Sequence, residues 1–471
     1  MPLTIVVVLL VCATPWASPS LAAQAAPLDS VRRYVTGEMQ RQKIPGLSVA
    51  IVRGDSILLA QGFGFANLEH RVPASDSTVY QSGSLGKQFA ATGVGMLAQQ
   101  GRLRLDDRIT RWFPEGKGVW DSVKVRHLLT HTSGVPDYTD SLIDLRKDYT
   151  EEQLVRLAAK QPLDFPAGAS WSYSNTGYLL LGVIIHRVTG RFYGDVLRDL
   201  LFAPLGMRTR VISEADIVPN RAAGYRLVDG QVKNQEWVSP SLNTTADGAL
   251  YLTVNDLAKW AVALKQQRVP PTRVLEGAWK PVRLADGGTF PYGYGWELGP
   301  QRSHRRIGHT GSWQGFKTAL YRYPDIDLTV VVLANLAEAT PGPIAQGIAG
   351  ILEPSLRPAE MFSATIGGPS PPVEISALLH RIIAGNESGL TPGARRHLVP
   401  AARRQLPEIL KQAQSWTALG CERPRGGQIR WLGADAVHVC YARGLGAEGR
   451  TVAAVYYTGD WQVAFFDLES Y

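Results

Sequence analysis

The chain has 471 residues, of which 45% are hydrophobic and 19% are charged, as expected for a globular protein with a sizeable core. A length of this order corresponds to about two to three domains. The formal net charge of +8 is spread over the sequence, and no run of lysine or arginine is longer than a pair. A nucleic-acid-binding protein is therefore not favoured.

The first 26 residues have the pattern of a signal peptide. Residues 5–11 are continuously apolar, and residues 20–22 and 23–25 offer small side chains suited to cleavage. A retained membrane anchor is the alternative, but a span needs about 20 apolar residues, and Pro15 interrupts this run. We expect an exported protein, periplasmic or secreted, with no stable membrane span.

The region that follows, residues 27–353, alternates between two patterns. Apolar residues at helical spacing predict helices over 28–39, 84–101, 149–159, 176–188, 255–264 and 341–352. Asp29 or Ser30 is expected to cap the first helix, and Asn255 the fifth. Aromatic and β-branched residues predict strands over 46–53, 56–62, 292–298, 317–323 and 328–333. Strands at both ends indicate an α+β fold: an antiparallel sheet from the two chain ends, flanked by helices, with a helical insertion domain.

A second domain is expected after a Pro-rich linker at residues 354–372. Residues 373–471 read as a small α+β accessory domain, with helices over 373–384 and 401–415 and strands over 428–432, 436–442, 451–458 and 461–468. Cys421 and Cys440 lie in this domain, and in an exported protein they form a plausible disulfide. Two buried free thiols are the alternative.

Ser84 and Lys87 form the most informative motif, Ser-x-x-Lys at the start of a predicted helix. Residues i and i+3 of a helix share a face, so the Lys87 amine can approach Ser84 Oγ. A poorly solvated lysine has a lowered pKa and can accept the hydroxyl proton. Taken alone the motif is weak, because a surface serine with a solvated lysine gives the same pattern.

Tyr173 and Asn175, two residues apart on a predicted loop, offer a phenol and an amide on one side of the chain. Near cations the pKa of a tyrosine falls, so Tyr173 is expected to exchange protons with a leaving group. An ordinary packed loop tyrosine is the alternative interpretation.

His309, Thr310, Gly311 and Ser312 precede a predicted strand. Glycine lets a backbone approach a ligand closely. His309 is expected to supply positive charge, and the N–H groups of Ser84 and Ser312 to form an oxyanion hole. The alternative is a strand end with a solvated histidine.

His127 and His131, in the segment 126–136, have a spacing that could hold zinc on a helix. No glutamate lies between them and no third ligand is evident, so a metal site is not favoured.

Together these segments resemble the penicillin-recognising serine hydrolase family, in its class C β-lactamase, D-alanyl-D-alanine carboxypeptidase and esterase branch. The resemblance covers roughly residues 29–352, with the motifs of Ser84, Tyr173 and His309 in family order; the segment 126–136 also looks like a hallmark of that branch. It implies a β-lactamase-like fold and no cofactor.

The resemblance also implies roles. Ser84 would form an acyl-enzyme, with Lys87 and Tyr173 sharing the base and acid roles, and Asn175 would orient the substrate. His309 departs from the lysine usual in class C β-lactamases, and a histidine is mostly neutral at pH 7. Esterase or D-amino-acid peptidase activity therefore gains weight over β-lactamase activity, which is expected to be weak.

Two other functions fit parts of the sequence. Residues 82–86 are close to the G-x-S-x-G motif of an α/β-hydrolase, although the first glycine is a serine. A non-catalytic protein that binds or senses a cell-wall ligand on a hydrolase scaffold is the other. For the hydrolase we expect a small-molecule or peptidoglycan-like ester or amide as substrate; the sequence leaves the oligomeric state open.

Overall fold

The computed structural model describes residues 21–211, 216–267, 269–302, 304–357, 415–422, 436–446, 449–458 and 463–470. The α-helices in these ranges are α1 (Leu21–Gln42), α2 (Lys87–Gln99), α3 (Val125–Leu129), α4 (Tyr138–Ser141), α5 (Glu151–Ala159), α6 (Asn175–Thr189), α7 (Tyr193–Leu197), α8 (Val254–Gln266), α9 (Thr272–Ala278) and α10 (Pro341–Leu352). The strands are β1 (Gly46–Arg53), β2 (Ser56–Asn67), β3 (Val72–Pro73), β4 (Tyr80–Gln81), β5 (Tyr225–Val228), β6 (Gln231–Asn234), β7 (Tyr251–Leu252), β8 (Val282–Arg283), β9 (Thr289–Phe290), β10 (Glu297–Gln301), β11 (His304–Trp313), β12 (Phe316–Tyr323), β13 (Leu328–Ala334), β14 (Ser415–Glu422), β15 (Ala436–Gly446), β16 (Gly449–Thr458) and β17 (Val463–Ser470).

The main sheet has seven strands in the order β10-β11-β12-β13-β1-β2-β3. Every neighbouring pair is antiparallel, and the central pair joins β1 to β13, so that Leu47 lies opposite Ala334. Strands from the start and the end of residues 27–353 thus meet in one sheet. The expected α+β fold, with an antiparallel sheet made from both ends of this region and helices around it, is confirmed.

The sheet is covered on both faces. Successive strand residues point to opposite sides: Val49 and Ile51 belong to the core beneath α1 and α10, whereas Ala50 and Val52 belong to the core shared with the helical region. This explains why β13 is apolar and buried along its whole length. The buried strand pair is the rigid base on which the site is built.

The helical region lies between β3 and β10 in the chain. Helix α2 packs against α6, α7 and α9, and Phe89 on α2 contacts the Trp260 ring of α8 with 4.8 Å between centroids. This packing fixes the start of α2, where Lys87 lies. Among the described residues, no helix has the length and apolar character needed to cross a membrane.

Most helix and strand predictions for this region are confirmed, but two helix caps and two details of the strands were wrong. Helix α1 begins at Leu21, so Asp29 and Ser30 lie inside it rather than at its cap. Helix α8 is capped by Thr253, whose hydroxyl accepts from the Asp256 N–H at 3.1 Å, instead of Asn255. Thr253 has the extended backbone that an N-cap needs, whereas residue 255 is already helical.

The strand expected over 292–298 starts only at Glu297, and the strand β11 was missed. The apolar pattern of β11 is interrupted by glycines at positions 308 and 311 and by the basic residues at its start. Consequently His309 lies within a strand of the main sheet, not at a strand end.

The C-terminal part forms a separate antiparallel sheet in the order β14-β15-β16-β17. The strands expected over 436–442, 451–458 and 461–468 correspond to β15, β16 and β17, and β14 is additional. The predicted linker after residue 357, the helix over 373–384, nearly all of that over 401–415 and the strand over 428–432 lie outside the described residues. Tyr456 Oη donates to the Arg302 carbonyl at 2.7 Å, which joins this sheet to the end of β10.

Candidate active site

Ser84 lies in a short 3₁₀ turn, residues Gly83–Gly86, between β4 and α2. Gly83 has a φ of 53°, and a Cβ there would lie 2.4 Å from Ser312 N. Only glycine allows the turn to approach β11 so closely. Gly83, Leu85 and Gly86 are buried, and Ser84 is left partly exposed. The turn therefore presents the Ser84 side chain beside β11.

Gly311 provides the matching close approach from β11. A Cβ at this position would lie 2.1 Å from the Ser82 carbonyl oxygen and 2.4 Å from Thr318 Oγ1. We expect Gly311→Ala to lower the free energy of unfolding by about 1–3 kcal/mol, because the added methyl overpacks a rigid contact. Urea denaturation measures this change.

Gly37→Ala is a matched control. Gly37 lies within α1, and a Cβ there would meet nothing within 4 Å. The same substitution should raise the free energy of unfolding by about 0.5–1 kcal/mol, since alanine is the better helix former. Equal effects of the two variants would contradict the close-contact account of Gly311.

Lys87, the first residue of α2, is completely buried. Its Nζ donates to Ser84 Oγ at 3.0 Å, to Asn175 Oδ1 at 2.7 Å and to the main-chain carbonyl of Asp247 at 2.6 Å. These contacts use the three protons of the ammonium group. The predicted approach of Lys87 to Ser84 is present in the structure.

Burial lowers the pKa of Lys87 to about 8, while the Asp247 and Asp137 carboxylates act in the opposite direction. With a pKa near 8, about a tenth of the amine is neutral at pH 7. A neutral amine next to a hydroxyl can accept its proton, so Lys87 has both the position and the basicity of a general base.

Asp137 fixes the amide of Asn175. Asp137 Oδ2 accepts from Asn175 N at 2.8 Å and from Asn175 Nδ2 at 3.0 Å. The amide nitrogen therefore faces Asp137, and its oxygen faces Lys87. Asp137 was not among the site residues predicted from the sequence, although it directly follows the segment 126–136.

Tyr173 stands just before α6, and Ser174 caps that helix by accepting from the Gly177 N–H. Lys87 Nζ lies 4.9 Å from the centroid of the Tyr173 ring. Burial raises the pKa of Tyr173 well above 10, and Ser84 lowers it only in part. The expectation of a lowered pKa is wrong, because burial disfavours the charged phenolate. Tyr173 is a protonated phenol.

The Tyr173 hydroxyl lies next to Ser84, whose side chain acts on its pKa. It is buried and forms no hydrogen bond of normal geometry with the described residues. Asn175 faces the same side of the chain, since both residues contact Lys87.

His309 is buried in a chain of hydrogen bonds rather than exposed to substrate. The Ser174 N–H donates to His131 Nδ1 at 3.1 Å, so a neutral His131 ring carries its proton on Nε2, 3.2 Å from Tyr292 Oη. The Tyr292 hydroxyl then donates to His309 Nε2 at 2.9 Å. His309 Nδ1 in turn donates to the Thr310 carbonyl at 2.5 Å.

Burial lowers the pKa of His309, although Glu297, 3.8 Å from Nδ1, acts to raise it. The pKa of His131 is also lowered well below 6.5, chiefly by burial. Both rings are therefore neutral at pH 7, and the expectation that His309 supplies positive charge is wrong. The His309 ring is neutral because the packing of β11 against Tyr292 removes it from water.

His127 and His131 do not share a helical face. Helix α3 ends at Leu129, and His131 has a φ of 57° beyond it. His127 Nδ1 accepts from the Lys124 N–H at 3.2 Å and thus serves as part of the helix cap. The described residues contain no group of three or more ligand side chains arranged for a metal ion.

A pocket of about 200 Å³, here called the Ser84 pocket, opens beside the nucleophile. Its lining residues come from the turn, α4, α6, the loop before β7 and the end of β11: Gly83, Ser84, Tyr138, Thr139, Asn175, Leu242, Thr245, Asp247, Gly248, Ala249, Ser312 and Trp313. Asp247 is the single charged residue in this set. Thr310 is not part of it; the Thr310 methyl group lies towards Gly342 of α10, on the opposite face of the sheet.

Fold and site define a serine hydrolase in which a candidate nucleophile, Ser84, is paired with Lys87, the first residue of the following helix. The antiparallel sheet excludes the α/β-hydrolase alternative, which needs a mostly parallel one. The chain belongs to the beta-lactamase family, whose model matches residues 31–349. The resemblance to penicillin-recognising serine hydrolases is thereby confirmed.

Three similar proteins illustrate the family. Penicillin-binding protein 4* of Bacillus subtilis (strain 168) is 31% identical over 312 residues, which are 62% of this chain and 68% of that protein. The D-amino acid amidase of Ochrobactrum anthropi SV3, complexed with D-phenylalanine, is 26% identical, with a TM-score of 0.61 over 70% of this chain and 98% of that chain. An octameric penicillin-binding protein homologue from Pyrococcus abyssi shares the fold at 22% identity, with a TM-score of 0.63 over 94% of this chain and 98% of that chain.

Proposed function

We propose that this chain cleaves an ester or amide through an acyl-enzyme on Ser84, with Lys87 as general base and Tyr173 as proton donor to the leaving group. The observation that carries the proposal is the buried Lys87 amine, 3.0 Å from Ser84 Oγ, with a pKa lowered to about 8. A serine hydroxyl is a weak nucleophile until an adjacent base removes its proton.

Acylation begins when Ser84 Oγ attacks the carbonyl carbon and its proton passes to Lys87 Nζ. The N–H groups of Ser84 and Ser312 stabilise the oxyanion, because the turn and β11 hold these main chains close together. The carbon–leaving-group bond then breaks, and the leaving group takes a proton from the Tyr173 hydroxyl, which the Lys87 ammonium replaces. Attack by water on the acyl-enzyme, with the same proton carriers, releases the acid and restores Ser84.

Because His309 is neutral, we favour esters and amides over β-lactams as substrates. A β-lactam or a D-alanyl-D-alanine terminus carries a carboxylate, and the described residues lining the Ser84 pocket include no lysine or arginine to bind it. We therefore propose weak turnover of nitrocefin compared with p-nitrophenyl esters and amino-acid amides.

Mass spectrometry of the intact protein after exposure to a fluorophosphonate tests the proposal. One adduct is expected, located on Ser84 by peptide mapping, together with turnover in a panel of nitrocefin, p-nitrophenyl esters and D-amino-acid amides. Folded protein that forms no adduct and turns over no substrate would favour the non-catalytic ligand-binding protein instead.

The pH dependence follows from Lys87. The base must be neutral, so kcat/KM is expected to rise with pH and to level off above about 8, the pKa of Lys87. Asp137 raises that pKa by favouring the ammonium form, and Asp137→Asn should move the midpoint to lower pH. Profiles of kcat/KM against pH measure the shift.

Asp121→Asn is a suitable control for this shift. Asp121 accepts from the Gly118 N–H at 3.2 Å on the exposed surface, away from Lys87. Its substitution should leave the midpoint unchanged. An unshifted midpoint in Asp137→Asn as well would mean that Lys87 is not the titrating base.

We also propose that the protein is exported to the periplasm or secreted, on the strength of the apolar run at residues 5–11 and the small residues after it. N-terminal sequencing of the mature protein should begin after residue 22 or 25. A mature protein that retains Met1 would contradict export by this route.

A disulfide between Cys421 and Cys440 is proposed as well. The two residues are direct register partners on the neighbouring strands β14 and β15. Alkylation with iodoacetamide in denaturant should label neither cysteine before reduction and both after it. Labelling without reductant would show free thiols.

A further inference from the structure

Asp247 is the charged residue of the Ser84 pocket, and nothing in the proposed acylation step uses its side chain. The residue is 9% exposed. Its Oδ2 accepts from the Tyr138 hydroxyl at 2.8 Å. Its Oδ1 has no hydrogen-bond partner among the described residues. The hydroxyl of the neighbouring Thr245 donates to the Leu242 carbonyl at 3.1 Å. Its contact with the Asp247 carboxyl, like that of Tyr138, helps to lower the pKa of Asp247.

A buried carboxylate oxygen without a donor is costly, and a charged donor is the group that satisfies it best. Burial raises the pKa of Asp247, and the nearby Lys87 charge lowers it. The ammonium of Lys87 contacts the main-chain oxygen of Asp247, not the carboxylate. The pocket therefore contains one carboxylate that is only partly satisfied by the protein.

Asp247 is also close to the nucleophile. Lys87 Nζ lies 3.0 Å from Ser84 Oγ and 2.6 Å from the main-chain carbonyl oxygen of Asp247. Ser84 and Asp247 therefore contact the same nitrogen atom. In an amino-acid derivative, the amino group lies on the carbon next to the reacting carbonyl. An acyl group attached to Ser84 would carry such an amino group into the pocket that Asp247 also lines.

Part of the pocket wall is apolar. Leu242, Ala249 and the Trp313 ring line it, and Trp313 is held in place because its Nε1 donates to Asn243 Oδ1 at 2.5 Å. These surfaces suit a hydrocarbon or aromatic side chain next to a charged amine.

We propose that the Ser84 pocket selects acyl groups that carry a free ammonium, with the Asp247 carboxylate as its partner. The inference rests on the proposed acyl-enzyme chemistry and narrows its substrates to esters and amides of amino acids or of peptides with a free amino terminus. The ammonium takes no part in bond making or breaking; it orients the acyl carbonyl towards Ser84. A substrate carboxylate in the same place would be repelled.

A matched pair of substrates tests this proposal: phenylalanine p-nitroanilide, in both stereoisomers, and 3-phenylpropanoic acid p-nitroanilide, which lacks the amino group. The preference is the ratio of the two kcat/KM values, and at least one stereoisomer should be preferred by tenfold or more. In Asp247→Asn this ratio should fall by about 10- to 100-fold, as expected for loss of a hydrogen bond between charged groups.

Asp137→Asn is the matched control variant. Asp137 and Asp247 both act on the charge of Lys87, but only Asp247 lines the Ser84 pocket. A change in the pKa of Lys87 alters kcat/KM for both substrates by the same factor, which cancels in the ratio. Asp137→Asn should therefore preserve the preference. If Asp247→Asn does not fold, inhibition of the unmodified protein by phenylalaninamide and by 3-phenylpropanamide gives the same comparison.

The outcomes separate the two proposals. A ratio near one in the unmodified protein, or a preference that survives in Asp247→Asn, overturns the ammonium site while the acyl-enzyme function stands. Absence of any fluorophosphonate adduct on Ser84 overturns the proposed function, and the ammonium site with it.

Discussion

Replacing Ser84 by alanine is expected to lower kcat/KM for an ester or amide by about 10⁴- to 10⁶-fold, as is usual when a nucleophile is removed. The Ser84 hydroxyl is the partly exposed group of an otherwise buried turn, and Lys87 contacts it at 3.0 Å. Without this oxygen no acyl-enzyme forms. Steady-state kinetics with a p-nitrophenyl ester measure the loss, and the fluorophosphonate adduct should disappear.

Ser82→Ala is the matched control, since Ser82 belongs to the same segment and the same near-G-x-S-x-G pattern. Ser82 Oγ is buried, and the Gly83 and Gly248 carbonyls, 2.9 and 3.0 Å away, are alternative acceptors for its single proton. Its loss is expected to cost stability but to retain the adduct on Ser84. An adduct that disappears in folded Ser82→Ala and persists in Ser84→Ala would overturn the assignment of the nucleophile.

Replacing Lys87 by alanine should lower kcat/KM by about 10²- to 10⁴-fold, the range for loss of a general base. The variant removes the one amine that forms a hydrogen bond with Ser84 in the described part of the site. The rise of kcat/KM towards pH 8 should also disappear, because the group that titrates is gone. Burst kinetics of acylation and a full pH profile give both values.

Lys87→Arg separates charge from basicity. A guanidinium keeps the positive charge but does not lose a proton in the accessible pH range, so this variant should be as impaired as Lys87→Ala. Lys265→Ala is the control, since Lys265 pairs with Asp327 at 2.9 Å on the surface and should not affect the rate. Full activity of Lys87→Arg would show that Lys87 acts by charge alone.

The neutral His309 changes how the site is understood. Its two ring nitrogens are used inside the protein, by Tyr292 and by the Thr310 carbonyl. The ring therefore braces β11 next to the turn of Ser84 instead of holding a substrate anion. Asp247 is the charged residue among those that line the Ser84 pocket, and the proposed ammonium site rests on it.

Local features were predictable from the sequence. The spacing of Ser84 and Lys87 puts both at one helical turn regardless of the rest of the fold. The apolar runs of β1 and β13 indicated buried strands, and the match of α10 to residues 341–352 follows from its continuous apolar pattern. Tyr173 and Asn175 were also placed correctly on one side of the chain.

Other features were beyond prediction because they depend on contacts between distant residues. The Asp247 carbonyl contacts Lys87 across a sequence separation of 160 residues, and no motif marks it. Asp137 acts on Asn175 across 38 residues.

The sequence by itself determined the candidate nucleophile, its lysine neighbour, the α+β class and the family resemblance, since these rest on short spacings and apolar patterns. Only the tertiary structure decided which groups carry charge. A pKa is set by burial and by neighbours in space, so the neutral His309, the protonated Tyr173 and the lowered pKa of Lys87 follow from packing. The same packing placed Asp247 in the pocket of Ser84 and so indicated an ammonium-bearing substrate.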